Sequence, residues 1–217
     1  MLYDPKSRTV PPNEANMQVS RSESLPLPLS DAELGRIGSM LQDDGLVLLP
    51  TAACWSITCM LCSPVATQRL YKLRREMGLP FAPEVLVSDL DMLRSMVPGL
   101  HPRLETLLAY HRRPLSILIE RHTGVPLILR DERGRAVFRI TPDPVCRQLI
   151  ERLNTPLAAV FATPDPAGAP REFGSVSSGI LERMDGILGL EWARELQGIP
   201  VLIQLDEQER EFVFLRE

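Results

Sequence analysis

Short apolar runs alternate with longer amphipathic segments along most of this chain, and this alternation is what most constrains its fold. Runs such as Leu46–Leu49, Glu84–Val87 and Leu157–Phe161 have the length of buried strands. The segments between them carry apolar residues at helical spacing. Some connections are too short for a parallel crossover, whereas others contain a whole helix. We therefore expect a mixed α/β (α+β) fold, a single three-layer domain whose twisted parallel and antiparallel sheet is covered by helices.

The organisation of the chain follows from its proline content and its length. Residues 1–29 hold five prolines among polar residues, which predicts an extended N-terminal lead-in, and residues 30–217 are then the folded domain. No apolar run approaches the ~18–20 residues that cross a membrane, and the N-terminus lacks the apolar core of a signal peptide. The expected location is the cytoplasm.

Local signals predict where individual elements begin and end. Ser30-Asp31-Ala32-Glu33 is a capping box that starts a helix, and Gly45 is expected to end that helix as a C-cap glycine. Pro126–Arg130 is predicted to be a strand, joined by a turn at Asp131–Gly134 to a second strand at Ala136–Ile140. A helix is expected over about Ser175–Met184.

The basic residues are almost all arginine, and the exception stands out. Only Lys6 and Lys72 are lysines among 24 basic residues, and Lys72 lies two positions before Arg74 on a predicted helix that opens at Ser63-Pro64. An ammonium and a guanidinium can bind one phosphate in different ways. The alternative is an ordinary solvated helix face. A net charge of −4 and a pI of about 5.5 argue against broad coating of nucleic acid but leave room for a local basic pocket.

Other site chemistries have weaker support. Cys59-Met60-Leu61-Cys62 is a CxxC motif before a helix, as in redox pairs, although core packing explains such cysteines as well. The three histidines do not have metal-ligand spacing, so no metal site is expected. The chain contains neither a P-loop nor a GxGxxG, HExxH or GxSxG motif.

Six stretches together carry a resemblance to a known family. In chain order they are Ser30–Thr51, Arg69–Arg74 with its Lys-x-Arg, Leu86–Leu93, Pro114–Ile119, Phe138–Pro144 and Phe214–Glu217. Their order and content resemble the YrdC/YciO-type family, which includes threonylcarbamoyl-AMP synthases. The resemblance covers about residues 30–217, and the extended lead-in suggests the YciO-like branch.

This resemblance implies a YrdC-like fold with a deep basic cavity. In that cavity ATP, threonine and bicarbonate become threonylcarbamoyl-AMP and pyrophosphate, the first step towards threonylcarbamoyladenosine in tRNA. It further implies ATP, accompanied by Mg²⁺, as the nucleotide. The implied phosphate-binding residues are Lys72, Arg74, Arg139 and Arg216, and the implied residues at the substrate end are Thr51, Ser116 and Thr163.

Departures from the family pattern favour a changed activity. The acid, second threonine and tyrosine that follow the family's Pro-Thr are missing from Pro50–Ile57, an SxN is replaced by Phe161-Ala162-Thr163, and a Ser-Thr pair becomes Pro200-Val201. The sequence therefore predicts a divergent member that binds a nucleotide or RNA (double-stranded RNA or tRNA) without full synthase activity. The alternatives are an active synthase, in which Arg112 and Arg113 compensate for the losses, and a CxxC redox protein.

Overall fold

The computed structural model describes residues 30–111, 113–165, 168, 170–188, 196–206, 208 and 211–216, so the predicted lead-in and Arg112 lie outside the described residues. The helices are α1 (Asp31–Gln42), α2 (Pro64–Glu76), α3 (Leu90–Met96), α4 (Pro102–Tyr110), α5 (Pro144–Leu153) and α6 (Ser178–Leu181). The strands are β1 (Val47–Pro50), β2 (Trp55–Met60), β3 (Glu84–Val87), β4 (Leu115–Ile119), β5 (Ala136–Ile140), β6 (Leu157–Phe161), β7 (Gly186–Ile187), β8 (Val201–Asp206) and β9 (Glu211–Arg216).

All of these strands join one sheet in the order β7-β1-β2-β6-β3-β5-β4-β8-β9. The pairs β1–β7, β3–β5 and β4–β8 are parallel, and the remaining five pairs are antiparallel. Neighbouring strands such as β3 and β5 are separated in the chain by helices, whereas the neighbours β1 and β2 follow each other directly. Helical crossovers and short turns therefore both connect strands of this sheet. The predicted mixed sheet is confirmed.

Helices cover both faces of the sheet, because strand residues alternate between two apolar clusters. On one face α1 and α5 bury Ile37 and Leu149 against Val47 and Leu86. On the other face the cluster contains Leu70 of α2, Leu93 of α3 and Leu104 of α4 together with Val85 and Phe138 of the sheet. Glu84 and Leu86 therefore face the α1/α5 side while Val85 and Val87 face the α2 side, and this alternation sets the position of the candidate site.

The first helix begins as predicted but ends differently. Ser30 Oγ accepts a hydrogen bond from the Glu33 amide at 3.2 Å, which caps α1. Asp44, with φ 60°, takes the left-handed position, and the Gly45 amide donates to the Met40 carbonyl at 2.9 Å. A Cβ at Gly45 would collide with that carbonyl oxygen. Gly45 is thus required for a close backbone approach, and its prediction as the residue with the C-cap conformation was wrong.

Two other predicted elements are corrected by the structure. Leu127–Leu129 is a 3₁₀ turn and not part of a strand, and the Arg130 guanidinium folds back so that Nε donates to the Val125 carbonyl at 2.9 Å. β5 pairs with β4 and β3 instead. The helix expected over residues 175–184 is limited to Ser178–Leu181 after a separate 3₁₀ turn, because serine and glycine in this segment are poor helix formers.

Among the described helices, none has both the length and the apolar character needed to span a membrane.

Candidate anion-binding site

A buried carboxylate at the start of β3 gathers polar side chains from three other strands. Glu84 Oε1 accepts hydrogen bonds from Ser116 Oγ at 2.9 Å and from Arg216 Nη2 at 3.1 Å. Glu84 Oε2 accepts one from Arg139 Nε at 2.9 Å. We call Glu84, Ser116, Arg139 and Arg216 the Glu84 cluster. Its two guanidinium groups and one carboxylate leave one net positive charge.

Strand register explains why these four side chains meet. Arg139 is the partner of Leu86, whose side chain faces the α1/α5 side, so Arg139 lies on that side as well. Its neighbour Phe138 lies in the core on the opposite face. On β4, Ser116 is the partner of Leu202 of β8. Leu202 is in turn the partner of Arg216 of β9. Each residue of the cluster therefore points from the same face of the sheet as Glu84.

A β-bulge places Arg216 on that face. Ile203 is the partner of Phe214 and Leu202 is the partner of Arg216, so Leu215 is an extra residue on β9. Residues two apart on a regular strand share a face, which would put Arg216 on the same face as Phe214. The extra residue turns Arg216 towards Glu84 instead.

Arg139 is the most unusual member of the cluster because its side chain is 0% exposed. Its Nε is bonded to Glu84, but Nη1 and Nη2 meet no hydrogen-bond acceptor within the described part of the chain. Buried charged donors without acceptors cost free energy, on the order of 1–3 kcal/mol or more for each group. These nitrogens need acceptors that the described residues do not supply, and a bound anion or a buried water can provide them.

Arg216 forms the more exposed end of the cluster. Its side chain is 19% exposed, and its Nε donates to the Pro200 carbonyl at 2.8 Å. The guanidinium carbon lies 5.5 Å from the centre of the Phe81 ring and 5.6 Å from that of Phe161. These aromatic faces hold the guanidinium by cation–π attraction.

Thr51 lies beside the cluster in a small hydroxyl network. Thr51 Oγ1 and Ser56 Oγ donate to the Cys54 carbonyl at 2.8 and 3.1 Å, and the two hydroxyls are 3.2 Å apart. Burial raises the pKa of the Cys54 thiol to about 12, although the charges of Arg139 and Arg216 act to lower it. Cys54 packs with Phe161 and Phe81, the two rings that contact Arg216, so this network lies next to the Glu84 cluster. Thr163 instead shapes a turn, in which its Oγ1 accepts from the Asp165 amide at 3.1 Å.

The two residues of the Lys-x-Arg motif make their contacts elsewhere. The Lys72 side chain is 74% exposed, and its Nζ lies 3.8 Å from Glu76 on the same helix. Arg74 Nε donates to the Phe81 carbonyl at 2.8 Å. Arg74 thus contacts the residue whose ring stacks on Arg216, whereas Lys72 lies on the surface of α2. The structure brings together Arg139, Arg216 and Ser116 of the predicted site residues.

Sequence reasoning missed Glu84. It opens a strand whose other three residues are apolar, and a carboxylate at a strand end usually faces solvent. The sequence signal for burial of Glu84 was its position directly before Val85-Leu86-Val87, an apolar run typical of a strand that is buried on both faces.

The four cysteines are free thiols, of which Cys54, Cys59 and Cys146 are buried and Cys62 is exposed. Burial raises the pKa of Cys59 to about 12, the opposite of the lowered pKa that redox use of Cys59 requires. Within the described ranges, no group of three or more His, Cys, Asp or Glu side chains could hold a metal ion.

Comparisons with known proteins agree with the resemblance. The Sua5/YciO/YrdC family model, described as telomere recombination, matches residues 39–208. A threonylcarbamoyl-AMP synthase from Xanthomonas euvesicatoria pv. vesicatoria (strain 85-10) is 27% identical over an alignment of 163 positions that covers 72% of this chain and 84% of that protein.

Solved structures share the fold at low identity. P. abyssi Sua5 complexed with L-threonine has a TM-score of 0.73 at 18% identity; the match covers 87% of this chain and 54% of Sua5, so the chain spans about half of that protein. E. coli YciO has a TM-score of 0.70 at 18% identity, with 87% of this chain and 90% of YciO covered. Full-length HypF in its phosphate- and nucleotide-bound form has a TM-score of 0.67 at 14% identity, with 87% of this chain and 29% of HypF covered.

The family model spans well over half of the chain, and the nine-stranded mixed sheet is the fold of these neighbours. The chain therefore belongs to the Sua5/YciO/YrdC family.

Proposed function

We propose that this protein binds a nucleotide of the kind that threonylcarbamoyl-AMP synthases use or make, and that it is not itself an efficient synthase. The observation that carries the proposal is the Arg139 guanidinium, which is fully buried and has two nitrogens without an acceptor among the described residues. An anionic group of the nucleotide would accept from these nitrogens, and Arg216 would contact it from the more exposed end. The relationship to a threonylcarbamoyl-AMP synthase supplies the ligand class.

Burial favours a small ligand over RNA. The phosphates of an RNA helix are carried on a rigid backbone and are read by exposed side chains. Arg139 has no exposed surface, and Arg216 packs against the faces of two phenylalanine rings that contact each other. A single phosphate or carboxylate on a flexible small molecule would contact Arg216 directly and Arg139 after a local rearrangement of the side chains that cover it. We therefore propose a nucleotide and not RNA as the partner.

Weak catalysis follows from what surrounds the cluster. The resemblance aligns Phe161 and Pro200 with positions where the family has hydroxyl or amide donors. Here the Phe161 ring packs on Arg216, and Pro200 offers only its carbonyl, because proline has no N–H. Each lost donor to developing charge costs about 2.7–4 kcal/mol in comparable sites. Two such losses would slow turnover by several orders of magnitude.

The residues present fit the phosphate of ATP better than they fit Mg²⁺. The free donors of Arg139 match phosphate oxygens. The carboxylate of the cluster does not offer a ready metal position, since both Glu84 oxygens already accept hydrogen bonds from arginine or serine. The proposal therefore contains no protein-bound Mg²⁺.

Calorimetric titration with ATP and AMP tests the binding proposal. We expect Arg216→Gln to weaken nucleotide binding at least tenfold, because it removes a charged donor that contacts the ligand. The matched control is Arg135→Gln, since Arg135 pairs with Asp131 and Gln204 outside the cluster. Lys72→Ala, a change at the exposed surface of α2, should alter the affinity less than twofold. Equal losses in all three variants, or no binding by the unaltered protein, would contradict the proposal.

Threonine- and bicarbonate-dependent release of pyrophosphate from ATP separates binding from synthesis. The expected result is nucleotide binding with release near the uncatalysed level. Robust release that Arg216→Gln abolishes would instead identify an active threonylcarbamoyl-AMP synthase, in which other groups replace the missing donors.

A further inference from the structure

We infer that Glu84 is a specificity-determining residue that makes the anion site favour groups carrying one negative charge over groups carrying two. The inference rests on the proposed function, since it concerns the ligand that Arg139 and Arg216 bind. Without Glu84 the two arginines would present two positive charges to a ligand. With Glu84 at 2.9 Å from Arg139 and 3.1 Å from Arg216, one of those charges is neutralised inside the protein.

The other ionisable groups around the cluster do not restore the lost charge. The Cys54 thiol stays neutral at ordinary pH because burial raises its pKa to about 12. Asp143, at the start of α5, acts electrostatically on Cys146 together with Arg139. Its Oδ1 accepts from the amides of Val145 and Cys146 at 3.0 and 2.9 Å, where the helix N-terminus offsets its charge. A second carboxylate on this side can only reduce the positive charge that a ligand meets.

The free donors of Arg139 define the shape of the ligand group. Nε is occupied by Glu84, so Nη1 and Nη2 remain as a fork that matches two oxygens of one anion. A carboxylate has this geometry with one charge, and so does a phosphate with two substituents, as in an acyl-adenylate (a mixed anhydride) or a phosphate diester. A terminal phosphate carries nearly two charges at neutral pH, since its second pKa is about 6. Its second charge would face the Glu84 carboxylate with no cation left to meet it.

Adenosine 5′-phosphate and its methyl ester are suitable probes, because they differ by one charge and one methyl group. At pH 8 we expect the unaltered protein to bind the singly charged ester at least as tightly as the doubly charged phosphate. Glu84→Gln keeps the size of the side chain and removes its charge. That variant should shift the ratio of the two affinities about tenfold towards adenosine 5′-phosphate. Glu120→Gln is the matched control, since Glu120 is exposed directly after β4, accepts a hydrogen bond from Gln204 and lies outside the cluster.

A pH series on the unaltered protein gives a second measurement that does not depend on the variant folding. Adenosine 5′-phosphate becomes singly charged below pH ~6. Its affinity should therefore rise towards that of the ester between pH 8 and pH 5, while the ester's own affinity changes little. Competition by L-threonine would identify a carboxylate as the occupant, and ester binding without such competition would identify a phosphate.

The two proposals fail in different ways. If neither adenosine compound binds, the proposed function itself is wrong. If both bind but the unaltered protein and Glu84→Gln prefer the doubly charged compound equally, the nucleotide site stands and the role of Glu84 is overturned. Weaker binding of both compounds by Glu84→Gln, with an unchanged ratio, would also overturn it and leave Glu84 as a structural anchor of the arginines.

Discussion

Burial divides the four thiols into one reactive and three protected groups. Cys62 is exposed, whereas Cys59, only three residues away, is buried with its pKa raised to about 12. Because the thiolate is the reactive form, we expect iodoacetamide at pH 8 to modify Cys62 in the native protein and to spare Cys54, Cys59 and Cys146 until denaturant is added. Peptide mass spectrometry measures this directly. Rapid native modification of both members of the CxxC motif would restore the redox hypothesis.

At the scale of single residues, strand alternation predicted more than charge spacing did. Alternation along the predicted strand Ala136–Ile140 puts Arg139 on the face opposite Phe138, and the structure has it there. The spacing of Lys72 and Arg74 could not show that Lys72 would be exposed, because a helix of this amphipathicity tolerates lysine at its edge. Glu84 escaped prediction because its partners come from strands up to 132 residues distant in sequence, and no local pattern encodes such pairing.

The joint between α1 and β1 depends on one glycine. The Met40 carbonyl comes so near to Gly45 that a methyl group would force the backbone to move. We expect Gly45→Ala to lower the free energy of unfolding by about 2 kcal/mol, within the range of local backbone strain. Gly174→Ala is the control, since a Cβ there would meet no atom within 4 Å and should change stability by less than about 0.5 kcal/mol. Chemical denaturation measures both. Equal changes in the free energy of unfolding in the two variants would mean that the α1–β1 joint accommodates a methyl group without strain.

Elements with strong local signals were predicted well, and elements fixed by distant partners were not. Ser30 and Ser63 cap α1 and α2 through hydrogen bonds from Glu33 and Ala66 amides, as their sequence pattern indicates. The turn at Asp131–Gly134 also forms, through the Gly134 amide and Asp131 carbonyl. What precedes that turn is a 3₁₀ segment, because β5 finds its partners in β3 and β4 and leaves Leu127–Leu129 without a strand to join.

Across the whole molecule, the buried thiols predict a loss of stability in alkaline solution. Unfolded thiols lose their protons near their ordinary pKa of 9.0, whereas folded Cys54 and Cys59 keep theirs to about 12. The folded state therefore binds more protons than the unfolded state in this pH range. The contribution of these thiols to the free energy of unfolding is fully present below pH ~9. It falls as the pH rises towards ~12, by up to about 1.4 kcal/mol per pH unit for each thiol.

Urea denaturation between pH 8 and pH 11 checks this dependence. Cys59→Ala should make the decline shallower even though it costs some packing at pH 8. Cys62→Ala, at the exposed position, should leave the slope unchanged. A slope that is insensitive to Cys59→Ala would assign the alkaline loss to other groups.

The bulge in β9 also bears on how copies of this protein behave towards one another. β9 is the last strand of the sheet, and its Val213, Phe214 and Leu215 are exposed large apolar residues. A regular edge strand with such a sequence would be a template for another chain to add to, and so a starting point for aggregation. The extra residue interrupts the row of free backbone donors and acceptors and increases the local twist. We therefore expect the irregularity that turns Arg216 towards Glu84 also to make this end of the edge a poorer template for strand addition.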